Sequence, residues 1–211
     1  MTAAPHATGE SPRSEARRAQ ILAAARDCFR RNGFHGASIA QICREAGMSA
    51  GHIYHYFENK EAIIAAIVEQ DLDRLLTMTA ELRAAPDILP AISACTADGV
   101  RDSLNVDEAA LKLEIVAEAA RNPRVADIVR TADRRCRESV TATLREHRRQ
   151  LGLPADAQWL EATAELLAIL YDGLMVRAIR RQDIPREAII SLFQNIILGV
   201  IGSAHHPSSP Y

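Results

Sequence analysis

Within the twenty residues from Ser38 to Phe57 the chain starts a helix, stops it and starts another, and this punctuation restricts the fold more than any other feature. Ser38-Ile39-Ala40-Gln41 has the form of a capping box, in which the serine oxygen takes one exposed backbone N–H and the glutamine side chain returns to another. Ile39, Ile42, Cys43 and Ala46 then share the inward face of a helix that Gly47 ends. After a turn of about three residues, Ser49 is placed to cap a second, short helix over about 50–56, with Ile53 and Phe57 as its core contacts. The predicted unit is a helix-turn-helix whose outward residues are Ala50, Gly51, His52, Tyr54 and His55.

Helical periodicity extends to both sides. Ahead of the unit, Ile21, Leu22, Ala25, Cys28 and Phe29 recur at helical spacing, and Arg17, Arg18, Arg26, Arg30 and Arg31 lie largely off that stripe. Asn32-Gly33 ends this helix, with Gly33 suited to a left-handed C′ position. Behind the unit, Asn59 caps a helix carrying Ile63, Ile64, Ile67, Val68, Leu72, Leu75 and Leu76, long enough to connect two domains before Pro86 rules out simple continuation. Five more helices follow, roughly 87–103, 107–121, 123–150, 157–181 and 185–201, with Pro123 and Pro185 in first turns and a break at Leu151-Gly152-Leu153-Pro154. β-Branched runs are scarce, and Ala, Leu, Ile, Arg and Glu dominate. The expected fold class is all-α: an N-terminal three-helix helix-turn-helix domain at 13–60 and a larger C-terminal helical domain at 61–202, about nine helices in all. Residues 1–12 and 203–211 lack periodicity and are expected to form a disordered and a mobile tail.

Charge separates the same two regions. The net charge is −2, but the stretch from Arg13 to Lys60 carries +4 and the remainder −6, the pattern of an anion-binding module on an acidic body. Arg130, Arg134, Arg135, Arg137 and Arg145 lie opposite an apolar stripe running from Val125 to Leu144, and are expected to be solvated or paired. Cys28, Cys43, Cys95 and Cys136 are far apart and form no metal-ligand spacing, and His52 and His55 lack a third ligand, so no metal and no cofactor are expected. No phosphate-binding glycine loop, nucleophile elbow or paired-carboxylate motif points to an enzyme. The most apolar stretch, 188–201, is too short for a membrane span and contains Gln194 and Asn195. With no secretory start before Pro5 and free thiols expected, the cytoplasm is the predicted location.

In the outward face, small residues at Ala50 and Gly51 would let a helix backbone come close to base edges, and His52, Tyr54 and His55 can donate hydrogen bonds to bases or phosphates. Lys60 opens its helix where a positive charge opposes the helix dipole, and a phosphate would compensate it. The segments Arg18-Ala19-Gln20-Ile21-Leu22, Phe29-x-x-x-Gly33-Phe34, Ser38-Ile39-x-x-Ile42, Ala46-Gly47-Met48-Ser49 and Ile53-Tyr54-His55-Tyr56-Phe57-x-Asn59-Lys60-Glu61 together resemble the DNA-binding domain of the TetR/AcrR repressor family. The resemblance implies that Ser38, Tyr54 and Lys60 grip phosphates, that Ser49, Ala50, Gly51 and His52 touch bases, and that His55 is a further phosphate contact. Tyr56 and Phe57 are assigned to packing against the first helix.

Beyond the fourth helix the resemblance is architectural, apart from Glu114-Ile115-x-x-Glu118-Ala119-Ala120-Arg121-Asn122-Pro123, which is similar to a stretch common in these regulators. It implies a homodimer on a double-stranded palindromic operator, released by a small effector held among helices 4 to 8. Leu167, Tyr171, Leu174, Ile189, Leu192, Phe193, Ile196, Ile197 and Val200 are the candidate dimer residues. Glu114, Glu118, Arg121, Trp159, Tyr171 and Met175 are the candidate effector contacts, for a ligand expected to be largely apolar. The sequence leaves open an activator or effector-independent regulator of the same fold, and a non-specific DNA-binding protein.

Overall fold

A computed structural model describes residues 12–202; the expected tails fall outside these residues, except that Pro12 is already helical. Among the described residues there are nine helices and no strand: α1 (Pro12–Gly36), α2 (Ile39–Ala46), α3 (Ala50–Tyr56), α4 (Lys60–Ala84), α5 (Ile88–Ser103), α6 (Val106–Ala119), α7 (Pro123–Gln150), α8 (Ala157–Arg180) and α9 (Arg186–Gly202). The all-α expectation holds, and helix limits differ from the sequence estimates by one or two residues where caps decide them. Asp87, Asn105, Asn122 and Asp156 each accept a backbone N–H at the start of α5, α6, α7 and α8.

The chain forms two compact units, one ending at Ile67 and the other beginning at Val68, so the division falls inside α4. In the first unit, Ile21, Leu22, Phe29, Ile42 and Ile53 are fully buried, each contributing about 2 kcal/mol by leaving water. Gln20 Nε2 donates to the Ala46 carbonyl (2.8 Å), tying α1 to the end of α2. Two glycines shape the chain here. Gly47 adopts φ 63°, ψ 35°, the left-handed cap that ends α2. Gly33 has φ 67° but ψ 171°, which is extended where a left-handed C′ residue would be helical; this conformation is open essentially to glycine alone. It kinks α1 and sends one further helical turn toward α2.

In the second unit α5 lies along α9 and α8, while α6, α7 and α8 pack on one another. Two apolar clusters fill it. One gathers Ile88, Leu144, Trp159, Leu160 and Ile201; the other gathers Val100, Leu104, Leu174 and Ile190. Tyr171 and Phe193 touch both clusters, and the tip of the Tyr171 ring comes so close to α5 that a Cβ at Gly99 would meet it at 3.0 Å.

Candidate nucleic-acid interface

The starts of α2 and α3 are built by their own side chains. Ser38 Oγ accepts from Gln41 N (3.2 Å) and Gln41 Oε1 accepts from Ser38 N (2.7 Å), completing the capping box. Ser49 Oγ accepts from His52 N (3.3 Å), which leaves its hydroxyl proton for an outside acceptor. Ser38, Ser49, Ala50, Gly51, His52, Tyr54 and His55 are all exposed, with Tyr54 at 54%, a high value for a phenol on a seven-residue helix. Ile53 and Phe57 face the other way and are buried, and the Arg18 guanidinium of α1 sits 5.3 Å from the Phe57 ring centre. Tyr56 is only half-buried; its ring stacks on His52 (5.8 Å) and meets His55 edge-on (5.1 Å), so it orders the outward histidines of its own helix.

Gly51 is helical, and a Cβ added there would find nothing within 4 Å. The fold does not need glycine at this position, and a helix interior is weaker by about 1 kcal/mol with glycine than with alanine.

Lys60 has partners that the sequence did not disclose. Its ammonium donates to the carbonyls of Phe34 (2.7 Å) and Ala37 (2.8 Å) and lies 4.4 Å from the Phe34 ring centre. The dipole conflict at the start of α4 is therefore relieved by carbonyls within the protein.

The other candidate residues are distributed through the second unit. Trp159 lies in the first apolar cluster, Met175 against the second and Tyr171 against both. Burial pushes the Tyr171 phenol up to about 12, partly offset by a hydrogen bond with Thr96. Glu118 is buried and accepts from Asn122 Nδ2 (3.0 Å), Glu114 is half-buried and Arg121 exposed. Among the candidate dimer residues, Leu174 and Ile197 belong to the subunit's own core, Leu167, Tyr171, Ile189, Phe193 and Val200 are half-buried, and Leu192 (55%) and Ile196 (46%) are exposed. Ile169 (58%) and Leu166 on α8 are exposed large apolar residues that the sequence analysis did not select.

Two buried polar arrangements also escaped the sequence. Thr79 of α4 and Ser139 of α7 share a hydrogen bond (2.7 Å), and Arg83 donates to Thr143 Oγ1 (2.8 Å) and the Ser139 carbonyl (3.2 Å). Near the end of α7, His147 is fully buried with neither ring nitrogen hydrogen-bonded, and the Arg148 guanidinium packs 4.0 Å from the centre of the Trp159 ring. By contrast, Arg135 reaches Glu69 on α4 and Arg137 pairs with Asp133, both at the surface, and Arg130, Arg134 and Arg145 are exposed. No described helix is long and apolar enough to cross a membrane.

Comparison with known proteins covers most of the chain. Residues 21–67 match bacterial regulatory proteins of the tetR family, and residues 91–202 match the C-terminal part of BetI-type transcriptional repressors. The HTH-type transcriptional regulator UidR of Escherichia coli strain K12 is 31% identical over 191 residues, spanning 89% of this chain and 93% of UidR. GusR of Salmonella enterica superposes with a TM-score of 0.76 at 28% identity, over 92% of this chain and 98% of GusR. The transcriptional regulator FadR of Bacillus subtilis, in complex with stearoyl-CoA, superposes with a TM-score of 0.70 over 89% of this chain and 99% of FadR; at 18% identity this is a likeness of fold.

Proposed function

Since this chain belongs to the TetR family of transcriptional regulators, we propose that it is a repressor that grips a palindromic operator as a homodimer and leaves it when a small, largely apolar effector binds. Residues 13–60 are then the DNA-binding domain and 61–202 the effector-binding and dimerisation domain, working in the cytoplasm where the chromosome is. The observation that carries the proposal is the exposed first turn of α3, where Ser49 offers a free hydroxyl proton and Gly51 leaves open space. Such a turn can enter a major groove until backbone meets base edge. Ser49, Ala50, Gly51 and His52 contact bases on this account, while Ser38, Tyr54 and His55 contact phosphates.

A single helix-turn-helix makes few contacts, and two half-sites on successive turns of the duplex supply the rest. The exposed apolar side chains of α8 and α9, Ile169, Leu192 and Ile196 among them, support a second copy as the partner that covers them. Tyr171, Phe193 and Met175, set against the apolar clusters of the second unit, favour an apolar effector. That ligand releases DNA only by binding the DNA-incompetent state more tightly. FadR of Bacillus subtilis, which shares the fold, is in complex with stearoyl-CoA, and this supports an apolar effector here.

The decisive test titrates the protein into labelled DNA from just upstream of its own gene and into a scrambled duplex, over a salt series, with Tyr54→Phe in parallel. Preferential binding to the native duplex, weakened in the variant, is expected. Equal binding to both duplexes at every salt concentration would favour a non-specific binder instead. Calorimetry with apolar compounds, read by loss of that binding, then tests the effector; release by charged metabolites alone would overturn the apolar assignment.

A further inference from the structure

We infer that Lys60 is a positioning residue: its ammonium staples the first residue of α4 to the peptide leading into α2, and so fixes the attitude in which Ser38 meets the duplex. The inference rests on the DNA-binding function proposed above, and it changes the role that family resemblance assigns to this lysine.

The geometry begins at Gly33. Its extended, positive-φ conformation folds the chain back so that Ala37 N donates to the Gly33 carbonyl (3.0 Å). The carbonyls of Phe34 and Ala37 thereby converge on one point, and Lys60 Nζ occupies it, 2.7 and 2.8 Å away, with the Phe34 ring closing one side. Phe34 and Ala37 are themselves buried, so the oxygens are held by packed residues. An ammonium has three donors, and two are used here. At most one N–H remains for a phosphate.

The consequence lies in a single peptide group. The Ala37 carbonyl, which accepts from Lys60, and the Ser38 N–H, which donates to Gln41 Oε1 (2.7 Å), belong to the same plane. That plane is held at both ends, and bonds in such a chain polarise and strengthen one another. Ser38 follows directly and caps α2. Lys60 therefore sets the orientation of the α2 start whether or not DNA is present.

The experiment compares Lys60→Met, which keeps most of the stem but has no donor, with Lys60→Gln, which is uncharged yet can still donate to a carbonyl. Operator affinity is measured over a salt series, and amide exchange of residues 38–41 is measured in the free protein. A positioning role predicts that Lys60→Met weakens binding about tenfold at every salt concentration with an unchanged salt slope, speeds exchange at Ser38 and Gln41, and is partly rescued by Lys60→Gln. A phosphate grip predicts a salt slope smaller by about 0.9, equal losses in both variants and unchanged exchange, and would overturn the inference. If the wild type does not prefer its operator, the DNA-binding assignment fails. Exchange in the free variants still decides the staple, and unchanged exchange in Lys60→Met overturns it.

Discussion

Ser38 and Ser49 stand at exposed helix starts in the first unit, whereas Thr79, Ser139 and Thr143 are buried between α4 and α7 in the second. All are small hydroxyl residues, but they spend their hydrogen bonds differently. In the first unit each serine satisfies an N–H of its own helix; the Ser49 hydroxyl keeps its proton for an outside acceptor, while that of Ser38 is directed to Gln41 Oε1 (3.1 Å) and must turn to reach one. In the second, the hydroxyls bond to one another and to Arg83, across sixty residues of sequence, and fix how α4 lies against α7. A surface meant for an outside partner holds its polar groups by local rules. A body whose helices must keep one register buries them in pairs, where the low dielectric makes each bond count for more.

Three substitutions sharpen that contrast. Gly51→Leu should have the largest effect: on the proposed function operator affinity falls about a hundredfold, worth roughly 2.7 kcal/mol, because a side chain would fill the open space proposed to admit base edges. Thermal unfolding of the same variant should show stability unchanged or raised, since leucine is the better helix former. A lower melting temperature would make Gly51 a structural residue and blur the distinction between the units.

The second unit should answer in the opposite sense. Arg83→Leu strips a donor from Thr143 and Ser139 and should cost about 1 kcal/mol in denaturant unfolding, the net worth of hydrogen bonds lost from atoms that keep their other partners. Combining it with Thr143→Val should cost less than the two single losses added together, because one network is being removed twice. Strict additivity would mean that these bonds act as separate surface contacts.

The smallest effect depends on pH. Burial, and after it the Arg148 charge, lowers the His147 pKa below its usual 6.5. The folded state then binds fewer protons than the unfolded one, so stability is full above about pH 6.5 and is lost as pH falls toward the folded pKa. His147→Leu should flatten this dependence and add about 1 kcal/mol at pH 5, with little change in slope above pH 7. Melting curves from pH 5 to 8 check the sign; an unaltered profile would show that His147 is not the group that titrates.

What could be read in the sequence follows the same division. The caps at Ser38, Ser49 and Asn59 and the stop at Gly47 depend on residues at most four positions away, and each lies where the pattern puts it. Gly33 was legible as a turn but not in its ψ, which the packing of the following turn sets. Lys60 looked uncompensated because its carbonyl partners are 23 and 26 residues earlier. Arg148 falls among the polar residues that close α7, yet the chain returns over it: Leu153 N donates to its carbonyl, its Nε donates to Pro154, and Trp159 of α8 covers its guanidinium. Leu174 and Ile197 are buried while Ile169, Leu192 and Ile196 of the same two helices are exposed, and in helices this rich in apolar residues periodicity alone does not separate the two sets.

The clasp around Lys60 also has a chemical consequence. The sequence contains two lysines, Lys60 and Lys112. Two carbonyls and the Phe34 ring crowd the Lys60 nitrogen, so its attack on an activated ester requires the side chain to swing away from them, and acylation at Lys60 reports opening of the α1–α2 connection. Lys112, on α6, supplies a reference rate within the same molecule. The ratio of the two labelling rates, read by mass spectrometry, turns an undecorated chain into a gauge of how often the first residue of α4 lets go.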